Sequence, residues 1–93
     1  LVRQEPLLRW LTDEPDVTRT DCRWYTDASV ALPRWRSLAS AACAIAVVSA
    51  AGDLLALAEV ALPSRVIMAA EAEAWAVFLV LAMCPFTPSI TTD

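Results

Sequence analysis

Asp27 stands in the middle of CRWYTDASV, residues 22–30, a run rich in aromatic and β-favouring side chains. Strands disfavour Asp, and a carboxylate resists burial unless something neutralises it, so Asp27 asks for a cation. Two further acids, Glu71 and Glu73, interrupt the apolar stretch from Val66 to Met83. A helix turns about 200° over two residues, so only one of that pair can face a sheet beneath it. Asp93 closes the β-branched run SITTD. Arg34 and Arg36 flank Trp35, and their planar guanidinium forks suit phosphate oxygens; solvated loop arginines are the alternative. Cys22, Cys43 and Cys84 form no CxxC pair, and the chain has no His, so a zinc site would need an unusual ligand set. Small buried thiols are the expectation.

The elements that must position these groups follow from periodicity and punctuation. In Cys22–Val30, alternation puts Tyr25, Asp27 and Ser29 on one side and Trp24 and Thr26 on the other, which marks a strand. Residues 31–40, with Pro33 and Trp35, break the pattern before Ala41–Ser49 resumes as a second strand. Gly52, the chain's one glycine, and Asp53 form a turn into a third strand, Leu54–Ala61. Pro63 stops that strand, Ser64 can cap a helix, and good helix formers continue from Arg65 to Met83 until Cys84 and Pro85. Ser89–Asp93 is then a short fourth strand. Residues 1–21 mix prolines and charges around Leu7, Leu8, Trp10 and Leu11. They read as a linker with one or two helical turns, either an expendable tail or a docking segment for an upstream domain, ahead of a domain over residues 22–93.

Composition bounds the function classes. A chain of 93 residues makes one small domain, and 58% hydrophobic content exceeds the roughly 45–50% of ordinary soluble domains. Some of its surface is therefore expected to meet a partner. A net charge of −4 argues against a generally basic nucleic-acid-binding surface, although all seven cations are Arg, through either phosphate recognition or genomic base composition. The odd cysteine count and the absence of a signal-peptide pattern point to a reducing, intracellular setting. A membrane hairpin, with Val66–Met83 and Ala41–Leu62 as its arms, is disfavoured. Glu71 and Glu73 would each cost roughly 2.5–3.5 kcal/mol near a bilayer centre.

YTDAS in the first strand, AEAWAV in the helix and TTD closing the fourth strand are similar to motifs of the ribonuclease H family, of the kind appended to reverse transcriptases. The resemblance covers Cys22–Asp93. It implies an α/β fold, a partial ribonuclease H-like mixed sheet of strand, strand, strand, helix, strand. The first three strands would be antiparallel, the third at the sheet edge and the fourth parallel to the first. Asp27, Glu73 and Asp93 match the family's acids, which implies a catalytic two-metal site for Mg²⁺, or Mn²⁺ in its place, hydrolysing the RNA strand of RNA–DNA hybrids. Glu73 is preferred to Glu71 because it shares an inward stripe with Ala76, Val77 and Val80. Ser29, where it is not simply a turn serine, and Arg34 and Arg36 would contact a hybrid recognised through backbone shape and the 2′-OH. The family's fourth carboxylate would lie past Asp93, so the chain is expected to be a piece of a longer retroelement polyprotein and inactive alone. A non-catalytic relic or structural domain of such a polyprotein is the other reading.

Overall fold

A computed structural model describes residues 4–31, 40–63, 65–66 and 68–92. Its elements are β1 (Leu7–Trp10), β2 (Arg23–Ala31), β3 (Ser40–Val48), β4 (Leu54–Ala61), α1 (Ala69–Met83) and β5 (Ser89–Thr92). They build one mixed sheet in the order β1-β4-β3-β2-β5 with a single helix layer.

Alternation along the strands creates two unlike faces. Trp24 and Thr26 of β2, Cys43, Ile45 and Val47 of β3, and Ala56, Ala58 and Val60 of β4 are buried on one face. Their neighbours Tyr25, Asp27, Ser29, Ala42, Ala44 and Glu59 are exposed on the other. Helix α1 covers the first face, packing on β2 and β3 through Ala72, Ala76 and Val80. Alanines at two of these three positions let the helix backbone approach the sheet closely. Leu62 and Val66, in the connection between β4 and α1, complete the same core.

β2, β3 and β4 are antiparallel neighbours, and β3 turns into β4 through Gly52, whose φ of +95° is one that L side chains rarely adopt. The Gly52 amide donates to the Ser49 carbonyl at 2.9 Å, and the Asp53 amide donates to the Ser49 hydroxyl at 3.0 Å. β5 returns from α1 to lie parallel to β2, with Arg23 opposite Ser89 and Thr26 opposite Thr92.

The expected fold class needs correction: the sheet is not the partial, four-stranded ribonuclease H-like arrangement but a five-stranded sheet of order β1-β4-β3-β2-β5. The additional strand comes from the segment in which a helical turn was expected. Leu8 and Trp10 pack against the core while Leu7 and Arg9 face outward, a period of two over too few residues to separate from a helical cluster by pattern alone. β1 pairs with β4 from Leu7–Ala61 to Trp10–Ala58, so β4 lies inside the sheet rather than at its edge. The exposed Arg9 guanidinium donates to the Glu59 carboxylate beside it.

The helix also starts later than expected, at Ala69, with Met68 at its N-cap and no side-chain cap bond; Ser64 lies outside the described residues. Arg65 reaches Glu71 at 2.8 Å, and an acid in the first turn suits the positive end of the helix dipole. No described helix is long and apolar enough to cross a membrane, and residues 41–62 form the β3–β4 hairpin.

Candidate metal and nucleic-acid site

The crossover from β4 to β5 decides which ends of the elements meet. β4 and β5 run in the same direction, so α1, about 22 Å long at 1.5 Å per residue, must run back against them. Its first turns, with Glu71 and Glu73, therefore lie toward the end where β2 and β5 finish. Its last turn lies where they begin.

β5 pairs with β2 as far as Thr26 and Thr92. Asp27 is the next residue of β2, on the uncovered face, with its side chain exposed. A shallow concavity of about 350 Å³ opens here, lined by Tyr25, Asp27, Thr91 and Thr92 over a floor of Ala44 and Ala46. Small floor residues make it a depression in a flat sheet face. Ser29 lies two residues further along the same face and is exposed.

Among the described residues, Asp27 and Glu73 take part in no ion pair or side-chain hydrogen bond. Three other acids of the described residues are held by arginines, while Asp53, at the β3–β4 turn, is, like Asp27, without a side-chain partner. Glu59 is held by Arg9, Glu71 by Arg65, and Asp21 by Arg19 at 2.8 Å. The Arg19 hydrogen bond holds the Asp21 carboxyl below the usual range. Asp16 is lowered first by the Thr18 hydroxyl and then by the Thr18 amide. Glu59 shares a row with Asp27 across Ala44, two strand spacings or roughly 9.5 Å away at the backbone, and its carboxylate is already taken by Arg9.

Of the residues expected to act, the structure thus describes Asp27 and Ser29 on the open sheet face and Glu73 on an exposed helix position beside buried Ala72 and Ala76. Asp93, Arg34 and Arg36 lie outside the described residues. No group of three or more metal-ligating side chains is assembled among the described residues. Because α1 covers the Thr26 face and Asp27 is on the opposite one, Glu73 can approach Asp27 only around the sheet, past the end of β5. Tyr25, Thr91 and Thr92 were not singled out from the sequence as lining this place. Alternation puts Tyr25 on Asp27's side, but nothing local in the sequence pairs β5 with β2.

The donor chemistry suits a hard cation. Exposed carboxylates free of protein cations match Mg²⁺, which keeps several waters and takes one or two carboxylates. The thiols do not contribute: Cys43 is buried beneath the other face, and burial pushes it up to about 11.

No protein-family model, curated protein or solved structure matches this chain.

Proposed function

We propose that Asp27, Glu73 and Asp93 form a divalent-metal site for phosphodiester hydrolysis, acting on the RNA strand of an RNA–DNA hybrid. The observation that supports this reading is the parallel pairing of Thr26 with Thr92. Each threonine is followed in sequence by an acid, Asp27 or Asp93. The crossover adds the early turns of α1, with Glu73, at the same end. The residue types and the resemblance of YTDAS, AEAWAV and TTD lead to the same set.

With Mg²⁺ held by Asp27, Glu73 and Asp93, the site would gain Lewis-acid chemistry for activating a water and offsetting negative charge on the phosphate. The chain's part is to hold oxygen donors in place. Asp27 is fixed by a strand paired on both sides up to Thr26, and Glu73 by the packing of Ala72 and Ala76. Thr91, Thr92 and Ser29 present hydroxyls on or beside the concavity for the sugar–phosphate backbone, with Arg34 and Arg36 as the proposed phosphate contacts. This distribution gives backbone and 2′-OH recognition rather than base reading.

The test is a titration of Mn²⁺ into isotope-labelled protein. Paramagnetic broadening should concentrate at the amides of Asp27, Thr92 and Glu73 and largely disappear in Asp27→Asn. Equal broadening at Asp16, Asp21 and Asp53 would reduce the effect to surface charge and sink the site. A labelled RNA–DNA hybrid with Mg²⁺ then tests the reaction. Metal binding without cleavage, in this chain and in one extended by its natural downstream sequence, would favour the non-catalytic domain.

A further inference from the structure

The end of the sheet opposite the acids holds two thiols. Cys22 stands immediately before β2, is 6% exposed and belongs to the core. Cys84 is the C-cap of α1; its amide donates to the Val80 carbonyl at 3.1 Å, and its half-buried side chain packs against that same core. The backward run of α1 brings its last turn to the end where β2 begins, and β5 starts there too, with Ser89 opposite Arg23, the neighbour of Cys22. Burial first, and then the charge of nearby Cys22, raise the Cys84 thiol. Cys43 is remote from both. It pairs with Ala28, so it lies roughly 20 Å along the sheet from Cys22 at about 3.4 Å per residue.

We propose that Cys22 and Cys84 form a reversible disulfide that fastens the C-terminal end of α1 to the start of β2. Neither cysteine lies inside a strand or helix, so the approach to disulfide geometry bends connections and leaves the ladder and helix intact. The oxidant is a low-molecular-weight disulfide. The Cys84 thiolate, the more accessible, attacks one of its sulfurs, forming a mixed disulfide and releasing one thiol. The Cys22 thiolate then attacks the Cys84 sulfur, the intramolecular S–S bond forms, and the second thiol leaves. In total the two protein thiols lose two protons and two electrons, and the oxidant is reduced to two thiols. Burial of the Cys84 thiol raises its pKa, which makes the first step slow at neutral pH and faster in mild alkali. This inference stands apart from the metal site and survives its failure.

Tryptic cleavage after arginine separates the cysteines cleanly: Cys22 falls in residues 20–23, Cys43 in residues 37–65 and Cys84 in residues 66–93. The native chain is incubated with oxidised glutathione at mildly alkaline pH, alkylated and digested without reductant. The expected product is the first peptide linked to the third, with intact protein lighter by two hydrogens, Cys43 alkylated, and full reversal by dithiothreitol. In Cys22→Ser a stable glutathione adduct should accumulate on Cys84, whereas Cys43→Ser should link as the wild type does. A persistent glutathione adduct on wild-type Cys84 without the link, a link through Cys43, or the same mixture of links in denaturant would overturn the proposal.

Discussion

Thr26 and Thr92 are partners in the parallel pair of β2 and β5, and the pairing goes no further among the described residues. Beyond it, β2 continues with Asp27 on the uncovered face, where no cation or donor of the described residues meets the carboxylate. An acid held on a rigid strand without a partner contributes little to folding and is available to a ligand.

Asp27→Asn should therefore separate binding from stability. The unfolding free energy should stay within about 0.5 kcal/mol of wild type, as for surface substitutions generally. Mn²⁺ affinity should fall at least about tenfold, corresponding to roughly 1.4 kcal/mol. Urea unfolding beside a Mn²⁺ titration checks both. Destabilisation by several kcal/mol would give Asp27 a structural role instead.

The attachment of β1 predicts an asymmetric response. Trp10 packs against the core, whereas the Arg9–Glu59 pair is exposed. Because Trp10 is only half-buried, Trp10→Ala should cost about 2 kcal/mol, less than the roughly 3–5 of a fully buried tryptophan. It should also speed hydrogen exchange at alternate amides of residues 58–61 in β4 while leaving β3 protected. Arg9→Ala should cost less than about 1 kcal/mol, as exposed ion pairs do. Equal effects of the two would contradict a strand anchored by its inward side chains.

At the β3–β4 turn, Gly52 has open space around a notional Cβ, so the cost of a side chain there is conformational rather than steric. Its φ of +95° makes Gly52→Ala expensive by roughly 1–2 kcal/mol. Chemical denaturation measures this loss. An unchanged midpoint would mean the turn relaxes to another form.

Cys43 should give the protein an alkaline limb of instability. Burial raises its thiol from 9.0 to about 11 in the folded chain. The stabilising contribution of the neutral thiol is complete below the unfolded value. It declines as pH rises from about 9 toward 11, because the unfolded chain loses the proton first. Stability measured across that window should fall in the wild type and fall less in Cys43→Ala. Parallel curves would assign the decline to other groups.

The sequence revealed the parts of this fold whose signals are local. The alternation of Trp24 and Thr26 against Tyr25 and Asp27 marked β2 and its two faces, and Gly52 marked the hairpin turn. Leu7–Trp10 escaped because four residues of mixed character become a strand only once β4 offers its free edge. The family-level sheet was equally out of reach, since the place of an added strand depends on contacts far apart in the chain. In the candidate site, the out-of-place Asp27 was legible from its surroundings alone. The threonines beside it were not, because the register of β5 on β2 depends on the length of a helix crossover. Asp93, Arg34 and Arg36 rest on sequence and resemblance.

Helix α1 is apolar on both flanks: Phe78 and Leu81 are exposed while Ala72, Ala76 and Val80 are buried. Its rotation about its own axis is thus chosen by bulk and not by wettability, the side with Ala72 and Ala76 going down because their small side chains let the helix backbone come close to the sheet. Polar residues in place of Phe78 and Leu81 should then improve the colloidal behaviour of the protein without turning the helix. Ala76→Leu should instead lift the helix from the sheet.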